Sequence, residues 1–119
     1  MLEAVQLTKR YQDNIALDAL SLKVEAGEVY CLLGANGAGK TTTIHLFMNF
    51  ITPTSGEALV NGMDTVKQSQ KTKQHIAYIP ENLQLYPNLS GSENLSFFVG
   101  LSKELPSKPL LEGLQRICC

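Results

Sequence analysis

An α/β fold with an antiparallel N-terminal part is what this 119-residue sequence predicts, and three observations carry the prediction. Apolar and polar residues alternate through Leu2, Val5 and Leu7, and again through Leu20-Ser21-Leu22-Lys23-Val24-Glu25, as in strands with one wet face. The unbroken apolar run Val29-Tyr30-Cys31-Leu32-Leu33 reads instead as a strand covered on both faces. Directly after it come the glycine-rich stretch Gly34-Ala35-Asn36-Gly37-Ala38-Gly39-Lys40-Thr41 and the helical pattern Thr42-Thr43-Ile44-His45-Leu46-Phe47-Met48, so strand, loop and helix follow one another.

Taken in order, the first two alternating strands are separated by Lys9 to Asp18, which reads as a polar turn region with the single aromatic residue Tyr11. Ala26-Gly27-Glu28 turns the chain into the covered strand 29–33, which would bury Cys31. After the loop, Ile44, Phe47, Met48 and Ile51 fall at helical spacing and form an apolar stripe for core packing, which Thr52-Pro53 ends. Pro53-Thr54-Ser55-Gly56 is a turn, Glu57-Ala58-Leu59-Val60 a short strand and Asn61-Gly62 a further turn. Asp64 to Gln74 is polar and reads as a surface helix or loop. His75-Ile76-Ala77-Tyr78-Ile79-Pro80 reads as a second covered strand, whose exit carries Glu81; ligands gather at such exits in open α/β sheets. Leu85-Tyr86-Pro87-Asn88 is a turn, and Ser90-Gly91-Ser92-Glu93 is a capping box opening a helix with Leu95, Phe98 and Val99 inward. Lys103 to Pro109 reads as a linker before a last helix containing Leu110, Leu111, Leu114 and Ile117.

The chemistry concentrates in the glycine-rich stretch. Gly34, Gly37 and Gly39 let the backbone turn successive N–H groups inward, making an anion nest, and the helix that starts near Gly39 adds its unpaired amides and the positive end of its dipole. Lys40 is placed to reach phosphate oxygens, and the Thr41 hydroxyl is a ligand for Mg²⁺. Gly, four residues, then Gly-Lys-Thr is the Walker A pattern, which arises by chance in a chain of this length only about a few times in a thousand. With a strand pattern before it and a helix pattern after it, nucleotide binding outweighs a plain glycine-rich turn.

Composition narrows the remaining choices. A net charge of −1, with 10 basic and 11 acidic residues and lysines scattered along the chain, gives no electrostatic footprint for nucleic acid. No apolar run is long enough to span a bilayer, and the first residues lack the apolar core of a signal peptide, so the chain is expected in the cytosol. The three cysteines suit neither a disulfide framework nor a zinc site and read as free thiols. His45 and His75 have no partner at metal-ligand spacing and read as packed or solvated. The length allows a single domain with a modest core.

With Tyr11, Gly34 to Thr42, Pro53, Gly56, Gly62 and the exit Tyr78-Ile79-Pro80-Glu81 in view, the chain resembles the ATP-binding subunit of an ABC transporter nearly end to end. It is similar to the N-terminal portion of that domain, and Glu81-Asn82-Leu83, Tyr86-Pro87, Leu89-Ser90-Gly91 and Glu93-Asn94-Leu95 resemble its exporter-type branch. The resemblance implies a P-loop NTPase fold, with ATP and Mg²⁺ held by Gly34, Ala35, Asn36, Gly37, Ala38, Gly39, Lys40, Thr41 and Thr42. It also implies adenine stacking on Tyr11. It puts Glu81 where the family has a glutamine that contacts Mg²⁺ and the attacking water; a carboxylate retains metal ligation but alters the signalling role. The family's signature, Walker B carboxylates and switch histidine would all lie beyond Cys119, and Leu89-Ser90-Gly91-Ser92 is too close to Glu81 to be that signature. These 119 residues are thus expected to form a partial ATP-binding domain with an incomplete core sheet, marginal stability and little or no turnover. The implied partners are a transporter membrane subunit and a second ATPase subunit, with the chain peripheral on the inner face of the membrane when assembled. A non-catalytic nucleotide-binding fragment that occupies a partner is the alternative, and a small P-loop kinase or GTPase fits less well.

Overall fold

The computed structural model describes residues 1–80, 82 and 85–100. They fall into two compact units, Met1–Tyr78 and a second that starts at Ile79. The first unit is built on a four-stranded antiparallel sheet in the order β2-β1-β3-β4, formed by β1 (Leu2–Tyr11), β2 (Asn14–Val24), β3 (Ser55–Val60) and β4 (Met63–Asp64). Helix α1 (Lys40–Phe47) lies between β2 and β3 in sequence; α2 (Ser69–Thr72) and one 3₁₀ turn (Lys73–His75) follow β4. The second unit contains α3 (Gly91–Gly100).

One face of the sheet is covered by α1. Ala4 of β1 pairs with Ala58 of β3, both 2% exposed, and these small side chains leave room for Leu46 and Phe47 of α1 to pack with Leu7 and Val60. Leu7 and Leu46 are fully buried, each stabilising the unit by roughly 1.5–3 kcal/mol relative to exposure. Leu17, Leu20 and Leu22 of β2 pack against the rim of this core.

The β1–β2 hairpin is longer and less regular than its alternation predicts. Lys9 to Asp18 was expected as a turn region, but only Gln12 and Asp13 turn, and Tyr11 pairs with Asn14 and Arg10 with Ile15. Main-chain pairing at the polar tip of a hairpin needs no buried side chains, so hydropathy does not reveal it. Val5, expected inward, is exposed; a bulge between Ala4 and Leu7, where Gln6 takes φ 47°, changes the face presented and turns Leu7 inward. Hydroxyl groups repair the ladder where the bulges break it. Ser21 Oγ accepts the Gln6 amide, Thr8 Oγ1 the Ala19 amide and Thr54 Oγ1 the Arg10 amide.

Helix α1 stops four residues before Ile51, the last residue of the expected stripe. Asn49 adopts the left-handed conformation at φ 50°, its N–H reaches the Leu46 carbonyl, and the Phe50 N–H reaches the His45 carbonyl, which together form a Schellman stop. The buried face is accordingly Thr43, Leu46 and Phe47, with Ile44 exposed and Ile51 packing from beyond the helix. Asn61 and Gly62, at φ 49° and 76°, make the two-residue turn between β3 and β4 that their sequence predicts.

Neither covered strand forms. Residues 29–33 join no ladder, Val29 and Leu33 are 98% and 85% exposed, and the Cys31 thiol is exposed rather than buried. Residues 76–80 are likewise unpaired, and Ile79 is 82% exposed. A strand is defined by its neighbours, and among the described residues none lies beside either segment. The incomplete core sheet expected from the sequence is therefore present.

In the second unit the capping box is formed as predicted. The Ser90 N–H and hydroxyl both donate to Glu93 Oε2, and the Glu93 N–H donates to Ser90 Oγ. These bonds from Ser90 hold the Glu93 carboxyl below its ordinary range. Among the described side chains of α3 the buried one is Asn94, while Leu95 is half-buried and Phe98 is exposed. Asn94 ties the preceding turn to the helix, accepting the Tyr86 amide and donating to the carbonyls of Tyr86, Leu89 and Ser90. Expectations on Glu81, the Val99 side chain and residues 103–119, including Cys118 and Cys119, lie outside the described residues.

Candidate phosphate-binding site

The loop predicted to bind phosphate leads directly into α1. Gly39 is the N-cap of α1, at φ 83°, and Gly37 takes φ 85°; an L-residue pays for this left-handed backbone, which glycine adopts freely. Ala38 N–H closes a turn on the Ala35 carbonyl at 3.1 Å. No side chain caps α1, and its first turn contains no acidic residue, so the positive end of the helix is left open to an anion.

Lys40 folds back across the loop. Its ammonium donates to the carbonyls of Gly34 at 2.5 Å and Ala35 at 2.7 Å, and no carboxylate among the described residues pairs with it. Those carbonyls hold the charge at the mouth of the loop. Thr41 is exposed, Thr42 is half-buried, and Thr43 turns inward to donate its hydroxyl to the Gly39 carbonyl at 2.9 Å. A Cβ at Gly37 would meet nothing within 4 Å, so the space beside that residue is open. Uncapped amides, a lysine without a carboxylate partner among the described residues and an exposed threonine fit a nucleotide phosphate bearing Mg²⁺.

The other predicted site residues sit at different distances from this constellation. Tyr11 ends β1 with its ring exposed, and the Lys9 ammonium stands 4.9 Å above the ring. It pairs with Asn14, two residues from the stretch of β2 that meets Gly39, so Tyr11 and the loop share the turn end of the hairpin. Glu81 lies outside the described residues. His45 packs against the rings of Phe50 and Tyr78, at 5.7 and 6.5 Å, the packed one of the two environments expected for it. Sequence reasoning missed Ala16 and Leu17, which lie against Gly39; their only signal is an ordinary apolar pair in a hairpin strand.

A glycine-rich loop opening onto an uncapped helix, with a lysine folded across it and an α/β core behind it, is the arrangement of a P-loop fold. Residues 17–116 match the ABC transporter family. The chain is 45% identical over 101 residues to the probable multidrug ABC transporter ATP-binding protein YbhF of Escherichia coli, covering 85% of this chain and 18% of that protein. It is 35% identical over 117 residues to the uncharacterized ABC transporter ATP-binding protein YhcH of Bacillus subtilis, covering 98% and 38%. A solved ATP-binding subunit of an ABC transporter superposes with a TM-score of 0.75 at 33% identity, covering 98% of this chain and 52% of that one. The chain belongs to the ABC transporter family and is related to its ATP-binding proteins. It spans about half or less of the length of each of these relatives. Among the described residues no helix is long and apolar enough to cross a membrane.

Proposed function

We propose that this chain is the nucleotide-binding portion of an ATPase subunit that drives transport, and that it binds Mg·ATP through Gly34 to Thr42. The observation that carries the reading is the uncapped start of α1 with the Lys40 ammonium held at the mouth of the loop. In this role the amides of the loop and of the first turn of α1 hold the phosphates, and Lys40 leaves its two carbonyl partners to neutralise phosphate charge. The Thr41 hydroxyl ligates Mg²⁺, Glu81 adds a second oxygen ligand, and Tyr11 stacks on the adenine. ATP supplies the phosphoanhydride bond whose cleavage would power transport.

Hydrolysis also requires an activated in-line water, and the sequence has no apolar strand followed by a catalytic carboxylate pair. The 119 residues by themselves therefore bind ATP with little turnover. The partners are a second ATPase subunit and a membrane subunit, with the chain on the cytoplasmic face. The names of relatives support this setting, including a 36% identical bacitracin transport ATP-binding protein of Bacillus licheniformis, as does a bacterial ABC transporter cassette solved as a dimer. The exporter-type assignment draws on the multidrug relative at 45% identity against 32% for a spermidine/putrescine import protein.

Equilibrium binding of a fluorescent ATP analogue with Mg²⁺, alongside phosphate release, tests the reading. Lys40→Ala should weaken binding by about tenfold or more, as expected for a lost charge-assisted contact. Equal affinity in Lys40→Ala, or brisk phosphate release that depends on Lys40, would contradict it.

A further inference from the structure

The buried end of the phosphate loop rests on β2. A Cβ at Gly39 would stand 2.5 Å from the main-chain oxygen of Ala16 and 3.3 Å from Cδ1 of Leu17. Gly39 is buried, whereas residues 34–38 are exposed. On its other side the Gly39 carbonyl accepts both the N–H and the hydroxyl of Thr43, at 2.8 and 2.9 Å, and Thr43 is 4% exposed. The residue that sets the direction of the following amides is thus held between a strand and its own helix.

We propose that Leu17 is a positioning residue for phosphate binding. Its side chain and the Ala16 carbonyl form a seat that sets the height and tilt of Gly39, and through Gly39 the aim of the Lys40, Thr41 and Thr42 amides. Hydrogen bonds weaken steeply as donors tilt away, so a small rotation at this seat is felt at the phosphate. Leu17 suits the role because it packs against the core from β2, which ties the seat to the rigid part of the unit. The Ala16 contribution is main chain and survives substitution; Leu17 is the part of the seat that a side-chain change can remove.

The inference rests on the nucleotide-binding reading of the loop, and the experiment separates the two. The full chain and its Leu17→Ala, Leu17→Met and Leu20→Ala variants are titrated with Mg·ATP and with inorganic tripolyphosphate, and their thermal transitions are recorded. Leu20 also packs on the core from β2 and serves as the control for lost packing alone. Leu17→Ala should weaken both ligands by the same factor of about ten, the equivalent of one phosphate hydrogen bond. Leu17→Met should restore both to within about twofold, since it refills the volume. Leu20→Ala should lower the thermal transition and leave tripolyphosphate affinity unchanged. If Leu17→Ala is too unstable to titrate, Leu17→Val takes its place, with an expected loss of about threefold on both ligands. Equal losses in the Leu17 and Leu20 variants, or a loss on ATP without one on tripolyphosphate, overturn the proposal alone. A parent chain that binds neither ligand overturns the nucleotide reading and this proposal with it.

Discussion

Gly37 and Gly39 share a loop and nearly the same backbone angle, φ 85° and 83°, yet substitution should separate them. Replacing either with alanine forces a Cβ into the left-handed region, at about 1 kcal/mol. At Gly37 nothing lies within 4 Å of the added carbon, so that is the whole cost. At Gly39 the same carbon would stand 2.5 Å from the Ala16 carbonyl oxygen, a main-chain atom with no rotamer to escape into. Relieving that overlap means moving β2 or the start of α1, which adds about 1–3 kcal/mol. Gly37→Ala should therefore cost about 1 kcal/mol and Gly39→Ala about 2–4 kcal/mol, a large part of the stability of a small domain. Urea unfolding followed by far-ultraviolet circular dichroism measures both, with the slope checked for constancy. Gly27→Ala, at φ 80° with nothing within 4 Å, should match Gly37→Ala and calibrates the backbone penalty. If Gly37→Ala and Gly39→Ala agree to within about 0.5 kcal/mol, the seat on β2 is wrong.

Two further outcomes are expected. Asn94→Ala removes four hydrogen bonds from the turn before α3, and at about 1 kcal/mol each, not fully additive, should cost that segment about 2–4 kcal/mol. Amide exchange should quicken across α3 and stay unchanged in the β1–β3 sheet; a uniform change would refute a local role. Burial works to raise the Asp64 carboxyl, but the Lys67 amide and ammonium and the Val66 amide outweigh it and leave the carboxyl below its ordinary value of 3.8. A lowered folded-state value means that its stabilisation is fully present above 3.8 and is lost as the pH falls further through the folded-state value. Asp64→Asn should thus be less stable than the parent at neutral pH, with the gap closing in that acid range; a gap independent of pH would show that the charge contributes nothing.

The candidate phosphate loop was legible from residues alone because its chemistry is local. Glycines that permit turned backbone, a lysine and a threonine at fixed spacing, and the start of a helix all lie within nine consecutive residues, 34–42. The capping box at Ser90 and Glu93 and the Asn61-Gly62 turn were readable for the same reason. What the sequence could not supply was anything set by a neighbour distant in the chain. The same apolar run, residues 29–33, is a strand only where other strands lie beside it, and hydropathy records the residues' suitability without recording that company. The early stop of α1 depended on Asn49 taking a left-handed conformation, while hydrophobic spacing alone extended the helix to Ile51. The bulge at Gln6 decided which face of β1 is buried, since one extra residue reverses a period of two. Ala16 and Leu17 carried no sign of their place beneath Gly39, because the approach of β2 to the loop belongs to the folded backbone. The sequence by itself determined the family and singled out the candidate phosphate-binding residues, whose functional groups are neighbours along the chain; tertiary structure alone decided which strands pair, which faces are buried and what the loop rests on, because each depends on contacts across many residues.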